Sequence, residues 1–136
     1  MARIIGIDYG MKRCGLSVTD PLQIIVSGLE TVNTNELMPF LENYIKNETV
    51  DLIVIGLPIH KDGNFTYLKV SIDQFVASFS KKFPAIKIDF TDEQFSSVLA
   101  KQIILDSGVK KKKRQDKALV DKVSAVVILQ KYLKHI

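Results

Sequence analysis

Three segments near the start of the chain have the hydrophobic patterns of β-strands. Residues 4–7 are an apolar run, which is typical of a buried strand. Residues 15–19 alternate apolar and polar side chains, as a half-buried strand does. Residues 23–32 predict a third strand, and Gly28 within it indicates a bulge or a close approach by another segment. Since Gly10 allows a tight turn after the first run, these segments predict consecutive hairpins.

Beyond the third strand, helical and strand patterns alternate along the chain. Apolar residues recur at helical spacing in four segments, and two further segments are β-branched or alternating, as strands are. The predicted helices cover about residues 37–45, 67–83, 94–107 and 116–133, and the predicted strands cover residues 51–56 and 86–90. A strand that follows a helix favours a parallel crossover, so the sequence predicts an α/β fold.

Polar residues before two of these helices predict where the helices begin. Thr34 or Asn35 can cap the first helix, and Thr91 or Asp92 can cap the third. Short polar side chains suit these positions because they accept hydrogen bonds from the exposed N–H groups of a first turn.

The composition indicates one globular domain spanning residues 1–136. Of these residues 46% are hydrophobic and 25% are charged, which favours a folded chain with a sizeable core. Cys14 is the single cysteine, so an internal disulfide and a cysteine-built zinc site are excluded. We expect this thiol to fill space rather than act as a nucleophile.

No apolar run approaches the roughly 18 residues of a membrane span, and residue 1 leads directly into a strand. We therefore expect a cytoplasmic protein without membrane contact.

The net charge of +4 is unevenly distributed. Residues 110–136 contain nine Lys or Arg and two Asp, a net charge of +7, whereas residues 1–109 have a net charge of −3. The basic excess begins with a run of five cationic residues, namely Lys110, Lys111, Lys112, Lys113 and Arg114. Such a run is either a solvated loop or a surface for a polyanion, and its position before the last helix favours nucleic-acid contact.

Three acidic residues are candidates for a common site. Asp8 ends the first strand, Glu93 follows the strand over residues 86–90, and Asp121 falls on the apolar side of the last helix. A charge on a packing face is costly unless it has a partner. The alternative for Asp8 is a hydrogen-bonding role in the turn, and for Asp121 it is an ion pair with Lys117, one helical turn earlier.

If the first and last strands share a sheet, Asp8 and Glu93 meet at one edge. Clustered carboxylates need a cation to offset their repulsion, and oxygen ligands alone suit Mg²⁺ or Mn²⁺ rather than zinc. Lys12 and Arg13, in the turn after Asp8, are placed to bind phosphate. Together these residues favour metal-assisted hydrolysis of phosphodiester bonds.

Four motifs follow one another along nearly the whole chain. They are GIDYGMKRCGLSV, IVIGLPIHKDG, TDEQFSS and KALVDKVSAVVILQKYL. In their order and spacing the sequence resembles the bacterial YqgF proteins, a family similar to the RuvC Holliday-junction resolvases. The resemblance implies an RNase H-like fold, with a five-stranded mixed sheet in the order 3-2-1-4-5 flanked by helices, and with strands 1, 4 and 5 parallel.

The resemblance also implies roles for individual residues. Asp8, Glu93 and Asp121 would be the catalytic, metal-binding acids. The substrate side would be formed by residues that flank these acids, namely Lys12, Arg13, Gly56, Leu57 and Pro58. Gln94 departs from the pattern, because the family usually has arginine there, and its presence removes one guanidinium from phosphate binding.

The function implied by the resemblance is that of a hydrolase, a metal-dependent endonuclease that processes the 5′ end of pre-16S rRNA in ribosome biogenesis. Two alternatives are a Holliday-junction resolvase-like DNA nuclease in recombination and repair, and a nucleic-acid-binding module without catalysis. The expected partner is therefore structured RNA or branched DNA, and a four-way junction would favour a homodimer. Divalent-metal binding by the carboxylates distinguishes the enzyme from the binding module.

Overall fold

The computed structural model describes residues 2–57, 65–92, 96–108 and 116–135. The strands are β1 (Arg3–Tyr9), β2 (Arg13–Thr19), β3 (Val26–Asn33), β4 (Val50–Leu57) and β5 (Lys87–Asp92). The helices are α1 (Leu37–Asn47), α2 (Phe65–Lys82), α3 (Ser96–Asp106) and α4 (Lys117–Tyr132). A short 3₁₀ turn, Thr34–Glu36, leads into α1. The order of strands and helices predicted from the hydrophobic pattern is confirmed.

The strands form a mixed sheet in the order β3-β2-β1-β4-β5, as the resemblance implied. β1 is antiparallel to β2 and parallel to β4, and β4 is parallel to β5. The carboxyl ends of β1, β4 and β5 therefore meet at one edge of the sheet, where ligands bind in open α/β folds. At this edge Asp8 pairs with Gly56, and Gly56 pairs with Thr91.

The two faces of the sheet bury separate apolar clusters, because side chains alternate along each strand. On one face, Ile5 and Ile7 pack with residues of α1 and α2. On the other face, Ile4 and Val54 pack with residues of α4, and α3 lies against α4. Within the described ranges, no helix is both long and apolar enough to cross a bilayer.

The loop before β3 corrects the predicted start of that strand. β3 begins at Val26 rather than at Gln23, which has a left-handed φ of 60°. The Asp20 carboxylate accepts hydrogen bonds of 2.7 Å from the backbone N–H groups of Ile24 and Ile25. These bonds close a turn where the sequence pattern alone suggested strand, and they hold the pKa of Asp20 below its usual value.

The predicted cap of the first helix is wrong, and residues 93–95, next to the cap predicted for the third helix, lie outside the described residues. Thr34 and Asn35 belong to the 3₁₀ turn, and the Thr34 hydroxyl donates to the Gly10 carbonyl at 2.7 Å instead of capping α1. Thr91 and Asp92 are the last residues of β5, where they pair with β4. For Thr34, a partner 24 positions away in the sequence has taken the hydroxyl group that local capping would have used.

Candidate active site

Asp8 lies near the carboxyl end of β1, on the face of the sheet that α4 covers. Alternation along the strand puts it on the same side as Ile4 and Gly6. Ile4 packs with α4, and a Cβ added to Gly6 would lie 2.5 Å from the Cγ of Leu129 in α4. Asp8 is half-buried. Its carboxylate is therefore held by a rigid strand beside the last helix.

Gly15 of β2 lets α4 rest directly on the sheet next to Asp8. It is the residue paired with Asp8 across the β1–β2 hairpin. A Cβ added to Gly15 would collide with the backbone oxygen of Asp121 and would lie 3.0 Å from the backbone nitrogen of Lys122. Because Gly15 has no side chain, the backbone of Asp121 lies on the strand adjacent to that of Asp8. The two acids are thus brought to one face at one edge.

Two hydroxyl groups fix the position of α4 on this face. Ser17 Oγ donates to the carbonyl of Ala125 at 2.7 Å, and Thr31 Oγ1 donates to the carbonyl of Ala118 at 2.6 Å. The two acceptors lie about one helical turn on either side of Asp121. Side chains positioned by such supporting hydrogen bonds lose little freedom when they bind a ligand. The helix thus presents Asp121 in a defined place.

The carboxylate of Asp121 forms an ion pair with Arg13. Arg13 Nε donates to Asp121 Oδ2 at 2.9 Å, with the two side chains 36% and 24% exposed. The structure thus gives Asp121 a partner on β2 instead of Lys117, which is exposed. Arg13 is the first residue of β2, paired with Asn33, so its predicted place in the turn is corrected.

Cys14 lies on β2 between Arg13 and Gly15. The side chain is fully buried. Burial raises the pKa of the Cys14 thiol, and the carboxylates of Asp8 and Asp121 raise it further. The thiol therefore stays protonated, which agrees with the expectation from sequence that it fills space rather than acts as a nucleophile.

The structure describes part of the predicted substrate side. Lys12 is exposed in the turn between β1 and β2. Gly56 and Leu57 are the last two residues of β4 rather than loop residues, and Gly56 pairs with Asp8. The predicted acid Glu93 and several predicted substrate residues lie outside the described residues, namely Pro58, Lys110, Lys111, Lys112, Lys113 and Arg114.

Comparison with known sequences identifies the family. Residues 2–135 match the family described as RuvX: Holliday junction resolvase. The chain belongs to this family. A Bacteroides fragilis relative, named "Putative pre-16S rRNA nuclease", is 48% identical over 134 residues, which cover 98% of this chain and 97% of the relative. A relative of the same name from Christiangramia forsetii is 50% identical over 133 residues, 98% of each chain.

Solved structures confirm the fold of this RuvX-family chain. The Fowlpox virus resolvase in complex with Holliday junction DNA has a TM-score of 0.60 at 11% identity, covering 98% of this chain and 97% of the resolvase. T. thermophilus RuvC, in complex with a Holliday junction substrate, has a TM-score of 0.57 at 13% identity, covering 99% and 96%. At such low identity the likeness concerns the fold alone, and the predicted RNase H-like fold is confirmed.

The donors of this candidate site fit a hard divalent cation. Asp8 and Asp121 offer carboxylate oxygens, the ligands that Mg²⁺ and Mn²⁺ prefer. Both acids are carried by elements that packing has fixed, as a binding site requires. In the described parts of the chain, no three His, Cys, Asp or Glu side chains form a group able to hold a metal ion. The third predicted acid, Glu93, is outside those parts.

The close approach of α4 to β2 was not predicted from the sequence, whereas the approach predicted at Gly28 of β3 is confirmed by its contact with Lys122 of α4. Gly15, Ser17 and Thr19 are small and lie on one face of β2, the face that α4 covers. This row of small residues is visible in the sequence, and it indicates that another segment approaches the strand closely. The Arg13–Asp121 pair had no such indication, because 108 residues separate its members.

Proposed function

We propose that this RuvX-family chain is a divalent-metal-dependent endonuclease that hydrolyses phosphodiester bonds of structured RNA. The observation that carries the proposal is the placement of Asp8 and Asp121 on one face, at the carboxyl edge of the parallel strands. The name of relatives that are about half identical favours pre-16S rRNA as the substrate. The 5′ end of that precursor, in the cytoplasm, is the proposed site of action, and the proposed domain spans residues 1–136.

In this proposal Asp8, Asp121 and Glu93 are the catalytic, metal-binding acids. Glu93 directly follows the last residue of β5 in the sequence, whose end lies at the same edge as Asp8. The chemistry that Mg²⁺ or Mn²⁺ supplies at such a site is polarisation of a phosphoryl oxygen and acidification of a bound water. Asp8 and Asp121 contribute charge that is already in position, so little reorganisation is needed during the reaction.

The substrate approaches the same edge. Lys12 is exposed in the turn that follows β1 and offers a mobile positive charge for a backbone phosphate. Gly56 pairs with Asp8 and has no side chain to block the approach of a phosphodiester. Leu57 and Pro58 continue the chain from this point, and the basic run over residues 110–114 adds sequence-independent attraction.

A second candidate substrate is a four-way DNA junction. Its support is the description of the matching family as a Holliday junction resolvase. A four-way junction has two-fold symmetry, so this activity would require a homodimer with two sites.

A cleavage assay distinguishes these functions. The protein is incubated with Mn²⁺ and, separately, a pre-16S rRNA fragment that includes its 5′ extension, a linear DNA duplex and a synthetic four-way DNA junction. We expect cleavage of the RNA, abolished by EDTA. Cleavage of the junction alone would favour the second candidate. Binding of all three without cleavage would show a binding module instead of an enzyme.

Replacing Lys110, Lys111, Lys112 and Lys113 with Ser should weaken RNA binding and reduce its salt dependence. Each phosphate that a lysine neutralises releases counterions, so the slope of log K against log salt should become shallower by about one for each phosphate that the variant leaves unneutralised. The measurement is fluorescence anisotropy of a labelled RNA hairpin between 50 and 200 mM salt, concentrations chosen to span the usual range.

A matched control removes four charges from the opposite edge of the sheet. Lys46, Lys81, Lys82 and Lys87 lie near the ends of α1 and α2 and the start of β5, at the amino ends of the parallel strands. Their replacement by Ser should change the binding much less. Equal effects of the two quadruple variants would mean that the basic run acts only through net charge.

A further inference from the structure

The partner of Asp121 is a cation that the chain itself supplies. Arg13 Nε lies 2.9 Å from Asp121 Oδ2, and a guanidinium and a metal ion are held by the same carboxylate oxygens. We propose that Arg13 is the resident counter-ion of Asp121, competes with Mg²⁺ or Mn²⁺ for this carboxylate, and leaves it when the metal binds. This inference rests on the proposed function and adds a residue that controls access to its metal site.

Asp121 needs a counter-ion because another carboxylate is near. Asp8 pairs with Gly15, and the backbone of Asp121 rests on Gly15. Two acids so placed repel each other unless a positive charge offsets the repulsion. Arg13 supplies that charge in the metal-free protein, so the site stays folded and ready without a metal ion.

The surroundings of Arg13 allow it to leave. Its backbone is fixed by pairing with Asn33 of β3, whereas its side chain is 36% exposed. The two preceding residues, Met11 and Lys12, are exposed as well. The guanidinium can therefore turn toward solvent by side-chain rotation alone. Ion pairs between partly exposed groups are weak, so a divalent ion with several oxygen ligands can displace this one.

Competition of this kind has a measurable size. When a competitor occupies a carboxylate in part of the molecules, its apparent metal affinity is the intrinsic affinity multiplied by the fraction of molecules in which the carboxylate is free. For an ion pair of ordinary surface strength, removing Arg13 should tighten metal binding roughly 2- to 6-fold.

Calorimetric titration of the full chain with Mn²⁺ tests this effect. We expect Arg13→Gln to bind Mn²⁺ about 2- to 6-fold more tightly than the wild type. Arg13→Lys, which keeps the charge and can still pair with Asp121, should remain close to the wild type. Thermal melting of both variants shows whether each is folded, so that misfolding of the Gln variant is not mistaken for a change in metal affinity.

Lys117→Gln is the matched control. It removes one positive charge one helical turn from Asp121, and Lys117 is exposed and has no role in the proposed chemistry. It should tighten Mn²⁺ binding much less than Arg13→Gln does. Equal tightening by the two variants, or no tightening by Arg13→Gln, would overturn the competition. If Asp121→Asn leaves the wild-type Mn²⁺ affinity unchanged, the proposed metal site itself is wrong.

A second measurement observes Arg13 directly. The Nε–H group of an arginine gives its own ¹⁵N–¹H resonance, which Arg13→Lys assigns by its disappearance. Titration with Mg²⁺, which is diamagnetic, should shift this resonance or broaden it by faster exchange with water as the ion pair opens. A resonance that stays unchanged while backbone resonances around Asp121 shift to saturation would show that Arg13 remains in place, and the proposal would fail.

Discussion

Replacing Asp8 with Asn should lower cleavage of pre-16S rRNA fragments by about 100-fold or more. The change keeps the shape of the side chain but removes the charge of a proposed metal ligand, and losing one such preorganised group has effects of this order. Because Arg13 already offsets the repulsion between Asp8 and Asp121 in the metal-free protein, the variant without metal should be about as stable as the wild type. Initial cleavage rates in Mn²⁺ and melting temperatures without metal measure the two effects.

Asp89→Asn is the control for this prediction. Asp89 lies on β5, two residues before Thr91. It is on the same face of the sheet as Asp8 but away from the carboxyl edge. Its carboxylate accepts a hydrogen bond of 2.7 Å from the Tyr132 hydroxyl. We expect this variant to cleave normally. A fully active Asp8→Asn protein would be incompatible with the proposed three-acid site.

Replacing Gly15 with Ala should destabilise the fold by about 2–4 kcal/mol. The added methyl group would collide with the backbone oxygen of Asp121, and forcing an atom into a packed contact costs about 1–3 kcal/mol or more when backbone must move. The helix can relieve the collision only by lifting off β2, which also displaces Asp121. Urea denaturation gives the change in the free energy of unfolding, and cleavage by the folded fraction should fall as well.

Gly28→Ala offers a close comparison on the neighbouring strand. A Cβ at Gly28 would lie 2.9 Å from the Cγ of Lys122, with the rest of that flexible side chain just beyond. Since a lysine side chain can rotate away, the free energy of unfolding should change by less than about 0.5 kcal/mol. If the two alanine variants were equally stable, the close contact of Gly15 with α4 would not be the constraint that we infer.

Much of the fold could be predicted because it depends on periodicity. The buried run of β1 and the alternation of β2 are visible in the sequence, and they were confirmed with small changes of boundary. The sheet order came from the resemblance to a family. The places where prediction failed are places where a distant partner decides the outcome. The Thr34 hydroxyl bonds to Gly10 instead of capping α1, and pairing with β4 extends β5 through Thr91 and Asp92.

The candidate site shows the same division. The position of Asp8 followed from the end of an apolar strand, and the unusual position of Asp121 followed from the helical wheel. The partner of Asp121 did not follow, because Arg13 approaches from a strand at the other end of the chain. Local spacing offered Lys117, one turn away on the same helix, as the alternative partner. The packing of α4 on Gly15 brings Arg13 within hydrogen-bond distance of Asp121.

The contacts between β2 and α4 also determine when the site can form. The Arg13–Asp121 pair and the Ser17–Ala125 hydrogen bond each join residues that are 108 positions apart. Contacts over such distances form after local hairpins and helices, because a long loop must be closed first. Asp8 is synthesised early and Asp121 late, so a growing chain holds the first acid long before the second. The proposed site can therefore form only after residues 117–132 have been synthesised and have packed on β2.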